Sequence, residues 1–313
     1  MARSRTDQSA TTTQHRVEQH DRRSAGDARE RLLAGIPVRE RQLELAGVST
    51  AVLEGGNGPP VVLLHSSAGF AALWMRVIPG LVRTNRVVAP DLPGHGASGT
   101  PPEPLDTGRM LTWLGELLDR TCPAPPVLVG RGLGGALAAR FAAAHGDRLD
   151  RLVLVGSFGL AAFDPAPAFG LAMRRFAVEP TEATRDGLFR QCFVDLDGLA
   201  GQLGERWTAL GAYALDRART PAMEAAMGAL LQALVLPAVP PAELDRIGVP
   251  TSLIWGRQDK QVRVTVAEAA GSRHGWPLRL IDGAGDDPPM ERPAAFLAAL
   301  QAVLPRGSGR VER

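Results

Sequence analysis

Short apolar runs alternate with longer helical patterns over most of the chain, beginning at about Pro37. Each run is continuous and is bounded by glycine, proline or charged residues, which is typical of strands covered on both faces. The runs occupy residues 61–65, 86–90, 126–130, 151–156, 251–255 and 277–282. The segments RQLELAG and STAVLEG precede them and predict an antiparallel hairpin.

Helical patterns separate most of the predicted strands. They cover Ala71–Arg83, Asp106–Thr121, Leu133–Ala144, Val262–Ser272 and Ala294–Val303. Strands that alternate with helices in this way form parallel sheets that are packed on both faces. The pattern therefore predicts an α/β fold built on a mostly parallel sheet.

One interval, from Gly159 to Arg246, contains helical patterns and no convincing strand. Because it follows a strand end, it is expected over the carboxyl edge of the sheet, where ligands bind in open α/β sheets. We interpret residues 159–246 as a helical lid. The alternative is a set of packing helices with no role in a site.

Composition and charge exclude several kinds of partner. The 313 residues are 45% hydrophobic and 22% charged with a net charge of +2, which is ordinary for a globular protein and names no charged partner. Beyond the first thirty residues no basic run is interleaved with aromatics, so nucleic acid is not expected. No run of about 18 apolar residues predicts a membrane span.

The same observations bear on cellular location and on assembly. The N-terminus has no apolar segment of the kind found in signal peptides, and Cys122 and Cys192 are too few for a disulfide framework or a thiolate zinc site. A cytoplasmic protein is therefore expected. No motif indicates a metal, a nucleotide or a flavin, and no feature predicts an oligomeric state.

The stretch VLVGRGLGGALAARFA, residues 127–142, combines a strand, a cluster of glycines and a small-residue helix. A sharp strand-to-helix turn of this kind carries the catalytic serine in the pattern G-x-S-x-G. Here the central position is Gly132, and no serine occurs between Ser98 and Ser157.

Together with other motifs, this stretch resembles the α/β-hydrolase superfamily over about residues 37–305. The motifs occur in the family's order: LLHSSAGFAALW (63–74), APDLPGHGASG (89–99), VGRGLGG (129–135), LIWGRQDKQV (253–262) and GAGDDPPMERPAAF (283–296). The resemblance is to the capped branch, which includes meta-cleavage-product hydrolases, epoxide hydrolases and haloperoxidase-like esterases. It implies an eight-stranded, mostly parallel sheet flanked by helices, with a helical lid.

The resemblance also implies a division of the chain. The hydrolase core is expected at 37–158 and 247–305, with the lid at 159–246. Residues 1–36 are polar and arginine-rich and are expected to be disordered or loosely held, and 306–313 are expected to form a flexible tail.

Two members of the catalytic triad that the family uses are missing. Gly132 lies at the nucleophile position and Asp286 at the histidine position, while Asp259 matches the acid. In a serine hydrolase, loss of either the nucleophile or the base costs roughly 10⁶-fold in turnover. Hydrolysis through a seryl intermediate is therefore excluded.

Backbone groups of an oxyanion hole do not depend on these side chains. The resemblance implies that the N–H groups of Leu133 and of Ser67 or Ala68 form it. Ser66 replaces a glycine that commonly follows the family's histidine. The pocket is expected to include His65, Ser66, Arg131 and His95, and of the histidines His95 is the first candidate to replace the base.

Two interpretations remain open. In the first, Asp259 and Asp286 share one small site, one of them holds a proton near neutral pH, and the pair carries out acid–base chemistry on a small carbonyl compound. In the second, the protein is a pseudo-hydrolase that binds a small apolar ligand or a partner protein. A hydrolase that uses another nucleophile or an activated water is a further alternative. An enclosed cavity lined by Asp286 would favour chemistry, and a collapsed one would favour partner binding.

Overall fold

The computed structural model describes residues 26–101 and 103–305, and it contains the predicted eight-stranded sheet. The strand order is β1-β2-β4-β3-β5-β6-β7-β8. The β1–β2 and β2–β4 pairs are antiparallel, and all other neighbours are parallel. The strands are β1 (Arg39–Leu45), β2 (Val48–Gly55), β3 (Pro60–Leu64), β4 (Arg86–Pro90), β5 (Val127–Arg131), β6 (Arg151–Val155), β7 (Thr251–Gly256) and β8 (Leu278–Ile281).

The longer helices lie before the first strand, between the strands and after the last one. They are α1 (26–33), α2 (Thr107–Thr121), α3 (Leu133–His145), α4 (Pro167–Val178), α5 (Glu182–Cys192), α6 (Leu196–Leu203), α7 (Glu205–Ala218), α8 (Pro221–Leu230), α9 (Val264–His274) and α10 (Pro293–Gln301). Short turns of helix occur at Ala71–Trp74, Ile78–Leu81, Gly146–Arg148, Leu231–Val235, Pro241–Leu244 and Pro288–Glu291.

The central strands are buried on both faces, as their continuous apolar runs predict. Successive side chains of a strand point to opposite faces. In β3, Val62 and Leu64 pack into one core cluster with α2 and α3, whereas Val61 and Leu63 pack into the other with α1 and α10. The sheet is therefore the middle layer of three.

The interval between β6 and β7 is a helical insertion that contains α4 to α8 and no strand. Its last part packs on the core, because Leu230 and Leu234 belong to the same buried cluster as α3. At its other side, the end of α5 reaches the loop that follows β8. The insertion thus touches the carboxyl edge of the sheet through separate segments.

One predicted helix is not continuous. The pattern Ala71–Arg83 forms a 3₁₀ turn at Ala71–Trp74 and a separate short helix at Ile78–Leu81. A continuous helix would place Pro79 in its interior, where proline lacks an N–H and its ring clashes with the carbonyl four residues before it. The proline instead lies in the first turn of the second segment.

The expectation that residues 1–36 are disordered is wrong for its last part. Residues 26–33 are helical, and Ala28, Leu32 and Ile36 are buried in the core. Ala28 and Leu32 are four residues apart and so lie on one face of the helix, and Ile36 follows it in the turn beyond its end. Residues 1–25 and the predicted tail at 306–313 lie outside the described residues.

Helix α1 also buries one charge. The guanidinium of Arg29 lies 2.8 Å from a carboxylate oxygen of Asp91 and 2.8 Å from one of Glu40, and Asp91 is fully buried. Burial alone would lower the pKa of Arg29, but Asp91, Tyr213 and Glu40 outweigh it and raise that pKa, so the side chain remains charged. Asp91 in turn accepts hydrogen bonds from the backbone N–H groups of Ala71 and Ala97.

We predict that Arg29→Met destabilises the protein by about 3–5 kcal/mol, because it leaves the Asp91 carboxylate buried without its cation. Urea unfolding measures the effect. Arg31→Met is the matched control, since Arg31 is exposed on the same helix and bonds only to the carbonyl oxygen of Asp27. Equal stabilities for the two variants would contradict the prediction.

Candidate active site

The turn between β5 and α3 has the geometry of a nucleophile elbow. Gly132 adopts φ +52° and ψ −112°, a conformation that residues with side chains rarely adopt. Its N–H donates to the carbonyl of Val155, and its own carbonyl accepts from the N–H groups of Ala136 and Phe158. A Cβ atom on Gly130 would lie 2.5 Å from the carbonyl oxygen of Gly134, so only glycine permits this approach of strand and helix. The turn is therefore intact although it presents no side chain.

The hydroxyl of Ser66 occupies the space in front of this turn. A Cβ atom on Gly132 would lie 2.0 Å from Ser66 Oγ and 2.8 Å from Ser66 Cβ. Both distances are far below van der Waals contact. Ser66 and a side chain at residue 132 therefore exclude each other, and the volume left by Gly132 is partly filled.

Hydrogen bonds fix the backbone of Ser66. Its carbonyl accepts from the Gly69 N–H at 3.1 Å and from Nδ1 of His65 at 2.8 Å. Nε2 of His65 accepts from the Leu92 N–H at 2.9 Å, which requires the proton to be on Nδ1. Burial, followed by the nearby His95, lowers the pKa of His65 well below its usual value. His65 is a neutral structural residue with both ring nitrogens engaged.

Three backbone groups near the elbow were predicted to form an oxyanion hole. Leu133 is the first residue of α3, so its N–H has no carbonyl to bond within the helix. Ser67 and Ala68 lie in the turn closed by Gly69, with Ala68 at φ +54°. Among the residues that the structure describes, neither donates a backbone hydrogen bond from its N–H. These groups are available to an incoming oxygen atom.

The structure brings Asp259 and Asp286 together at the carboxyl edge of the sheet. A Cβ atom on Gly156 would lie 3.2 Å from Asp259 Oδ2 and 3.6 Å from the carbonyl oxygen of Asp286. Asp259 Oδ1 accepts the N–H groups of Gln261 and Val262, each at 2.8 Å. Asp259 Oδ2 and Asp286 Oδ1 are buried, and neither has a hydrogen-bond partner in the described parts of the chain.

Burial changes the protonation of this pair. Desolvation, followed by the charge of Asp286, raises the pKa of Asp259 to about 8. Desolvation also raises the pKa of Asp286 to about 7, although Arg131 acts in the opposite direction. Because two carboxylates at one buried site do not both ionise easily, the pair retains a proton near neutral pH.

Arg131 is the cation of the site. Its Nη1 donates to the backbone carbonyl of Asp286 at 3.0 Å and forms an ion pair with Asp287 at 2.8 Å. Arg131 therefore fixes the loop after β8 without bonding to the Asp286 carboxyl group. Arg257, which could have neutralised the pair, forms an exposed ion pair with Asp282 instead.

Two residues of the site were missed by sequence reasoning. Glu291 accepts the N–H of Gly285 at 2.6 Å and that of Val194 at 2.7 Å, and burial raises its pKa to about 7. The carbonyl of Cys192 accepts the N–H of Asp286 at 3.2 Å. Burial and Asp286 raise the pKa of the Cys192 thiol well above its usual value, so it is not an activated nucleophile. The only sign of Glu291 in the sequence was a glutamate five residues after Asp286.

The remaining histidines are not brought to the carboxyl pair by any contact. His95 is buried beside His65, with ring centroids 5.5 Å apart, and its Nδ1 bonds to the carbonyl of Pro93. Burial lowers the pKa of His95. His274 stacks on Trp276 and pairs with Asp245. His145 lies at the far end of α3, beside Phe141.

A half-open cavity of about 310 Å³ lies beside the elbow, where the insertion begins. Its lining includes Phe158, Phe163, Val262 and the exposed ion pair of Asp164 with Arg263, but not Gly132 or Asp286. Phe158 touches both regions, because its Cε2 lies 3.5 Å from the Cβ position of residue 132. The carboxyl pair therefore does not line the cavity, although Gln261 and Val262 of its lining donate to Asp259, and Phe158 connects it to the elbow.

Two kinds of feature are absent from residues 26–101 and 103–305. No cluster of three or more histidine, cysteine or acidic side chains could bind a metal ion. None of the helices has the length and apolarity needed to cross a bilayer.

The elbow, the acid loop and the three-layer sheet define a class of protein. The chain belongs to the α/β-hydrolase family, whose model, described as the alpha/beta hydrolase fold, matches residues 59–293.

Individual proteins and a solved structure are also similar to this chain. The chain is 29% identical over 293 residues to an uncharacterized protein from Mycobacterium bovis, covering 84% of this chain and 85% of the relative. It is 29% identical over 232 residues to 2-hydroxy-6-oxo-6-(2'-aminophenyl)hexa-2,4-dienoic acid hydrolase from Metapseudomonas resinovorans, covering 73% and 77%. The solved structure of 2-hydroxy-6-oxo-6-phenylhexa-2,4-dienoate hydrolase from Rhodococcus sp. strain RHA1 superposes with a TM-score of 0.74 at 24% identity, covering 85% of this chain and 98% of that one.

We predict that stability falls as pH rises through the neutral range. The pKa of Asp286 is about 7 in the folded protein and about 3.9 unfolded, so between these values the folded state holds the extra proton and loses stability as pH increases. From pH 5 to pH 8, urea unfolding should show a loss on the order of 2 kcal/mol larger for the unmodified protein than for Asp286→Asn. Asp282→Asn is the control, since its side chain is 79% exposed. A pH dependence unchanged by Asp286→Asn would contradict the assignment.

We also predict that Gly132→Ser destabilises the protein by roughly 3 kcal/mol, from backbone strain at φ +52° and overlap with Ser66. Adding Ser66→Gly should restore about 1–2 kcal/mol, the part due to overlap. Gly146→Ser, at the other end of α3 with no atom near the new Cβ, is the control. Additive effects of the two substitutions in a double-mutant cycle would show that the side chains do not compete.

Proposed function

We propose that this protein is an enzyme that moves protons on a small carbonyl compound, with no covalent intermediate at residue 132. The observation that carries the proposal is the pair of buried carboxyl oxygens, Asp259 Oδ2 and Asp286 Oδ1, that have no hydrogen-bond partner among residues 26–101 and 103–305. Unpartnered buried polar atoms are unfavourable and are most often satisfied by a ligand or by water.

The pair can supply both an acid and a base. With pKa values of about 7 and about 8, one carboxyl group is protonated and the other ionised in the neutral range. Catalytic groups work best when their pKa lies near the working pH. We assign Asp286 as the group that contacts the substrate and Asp259 as its partner, because both N–H donors of the acid loop already bind Asp259 Oδ1.

The backbone supplies the electrophilic part of the site. The N–H groups of Leu133 and of Ser67 or Ala68 are directed by the elbow and by the turn after β3, as in an oxyanion hole. Polarisation of a carbonyl by these donors lowers the cost of removing a proton next to it. The fold of the hydrolases named above supports a small-molecule substrate, and the insertion would exclude water as a lid.

A second candidate function is binding without chemistry. It is favoured by the cavity of about 310 Å³ beside the elbow, because a cavity lined by Asp286 was the feature expected to favour chemistry, and this one is lined by Phe158, Phe163 and Val262 but by neither member of the carboxyl pair. A small apolar ligand could occupy it without meeting Asp286. For the catalytic function, Phe158 must move so that this cavity opens towards the elbow.

Exchange of the methyl protons of acetophenone in D₂O, followed by proton NMR, tests the catalytic function without knowledge of the natural substrate. The full chain should accelerate exchange, with a bell-shaped pH profile centred between the two pKa values, because only the singly protonated pair contains both acid and base.

Asp286→Asn should lower the exchange rate by about 10²–10⁴-fold, since it removes the titratable proton and keeps the shape of the side chain. Asp282→Asn, in the same loop region but exposed, is the matched control. A rate within threefold of the unmodified protein would remove Asp286 from the mechanism. Binding of acetophenone with no exchange above the buffer rate would favour the binding protein instead.

A further inference from the structure

The hydroxyl of Ser66 is a buried polar group that the carboxyl-pair mechanism does not use. Ser66 is 3% exposed, and its Oγ accepts or donates no hydrogen bond within the described residues. Most buried hydroxyl groups in proteins are paired. An unpaired one, beside a site with two other unpaired oxygens, points to a ligand atom as its partner.

The Ser66 hydroxyl lies directly in front of Gly132 at the elbow. Ser66 Oγ lies 2.0 Å from the Cβ position of Gly132, inside the volume into which the elbow directs a side chain. The loop after β3 therefore supplies a hydroxyl group at the place where the elbow supplies none. The N-terminus of α3, with the free N–H of Leu133, begins at the next residue.

The surroundings of Ser66 suit a hydrogen-bond donor better than a nucleophile. A serine becomes nucleophilic when an adjacent base takes its proton. The nearest histidine, His65, already uses its Nδ1 proton on the Ser66 carbonyl and its Nε2 on the Leu92 N–H. With its backbone held by that bond and by Gly69, Ser66 keeps its proton and can direct it only by rotation of one side-chain bond.

We propose that Ser66 is a catalytic residue whose O–H donates to the substrate's carbonyl oxygen, acting with the N–H of Leu133 as a side-chain member of the oxyanion hole. This assignment rests on the proposed carbonyl chemistry and adds a residue to it. Serine hydroxyls are known members of such donor sets. The donor occupies the position that a nucleophile would take, so no bond to the protein forms.

The proton transfer balances without further reactants. The ionised carboxylate of the pair takes the proton from the carbon next to the carbonyl, the electron pair of that C–H bond forms the carbon–carbon double bond of the enolate, and the π electron pair of the carbonyl moves onto its oxygen. Ser66 and Leu133 stabilise the developing negative charge. The carboxyl group that took the proton then gives it to this oxygen. The product is the enol, and the pair again holds one proton. Reversal in D₂O places deuterium on the carbon.

The test compares Ser66→Ala with the unmodified full chain in the acetophenone exchange assay. Loss of one donor of an oxyanion hole typically costs about 10²–10³-fold, and we expect a fall of this size in kcat. Ser252→Ala is the matched control, a serine of β7 that is outside the site. Ser66→Ala removes an unpartnered hydroxyl, so it should fold normally.

A second readout separates this assignment from the proposed function. The ¹³C resonance of carbonyl-labelled acetophenone bound to the protein should move upfield in Ser66→Ala, because a hydrogen bond to its oxygen is lost. Exchange by the unmodified protein with no change of rate in Ser66→Ala would overturn the role of Ser66 alone. No exchange, with the ¹³C shift still dependent on Ser66, would overturn the proton-transfer function and retain the donor. Absence of both effects would overturn both.

A fluorophosphonate probe followed by mass spectrometry completes the test. A hydrogen-bonding Ser66 should remain unlabelled. Stoichiometric labelling that disappears in Ser66→Ala would show that this serine is a nucleophile and would overturn its assignment as a donor.

Discussion

The site depends on the sharp turn between β5 and α3. Gly132 holds a strained conformation because both of its peptide groups are bonded, to Val155 on one side and to Ala136 and Phe158 on the other. The same bonds join β5, β6 and the start of the insertion at one point. Once this turn forms, the amino end of α3, the loop after β3 and the loop after β8 converge on a small region. The arrangement of these segments at the edge of the sheet therefore follows from the backbone of the turn and does not require a side chain at residue 132.

Around this turn the protein buries more acid than base. Asp259, Asp286, Asp287 and Glu291 all have raised pKa values because of burial, and Arg131 is the cation that touches their loop. Among these four carboxylates, Arg131 forms an ion pair with Asp287, and a group of buried carboxylates with so few ion pairs would be unstable if all were ionised. Some of these carboxyl groups remain protonated instead, and the same burial gives Asp259, Asp286 and Glu291 pKa values near neutral pH. The pH dependence of stability at this site and the acids of the proposed mechanism thus result from the same desolvation.

Local patterns were sufficient for most of the fold. The apolar runs predicted the sheet, because strands covered on both faces have a continuous hydrophobic pattern. The pattern failed in two places. At Pro79, a single proline interrupts a helix that the periodicity predicted. In α1, the many arginines hid the apolar face formed by Ala28 and Leu32, which is buried. The resemblance to the hydrolase family, which puts Asp259 at the acid position and Asp286 at the histidine position, implied that the two would be neighbours.

Other features of the site depend on contacts between distant parts of the chain. The exclusion between Ser66 and a side chain at residue 132 joins two loops, and the bond from Arg131 to the Asp286 carbonyl joins residues 155 positions apart. A glycine at the elbow indicates a missing nucleophile, but only the packed structure shows that a hydroxyl from another segment fills the volume. Sequence reasoning named both Ser66 and Arg131 as pocket residues without their partners.

The buried ion pair of Arg29 and Asp91 bears on the N-terminal limit of the folded domain. The family model starts at residue 59, whereas the cation that neutralises Asp91 comes from α1, about thirty residues earlier. Asp91 orders the backbone of Ala71 and Ala97, which flank the loops next to the elbow. A fragment cut to the limits of the family model would lose the arginine and keep the aspartate, so the folded unit of this protein extends to the N-terminal side of residue 59.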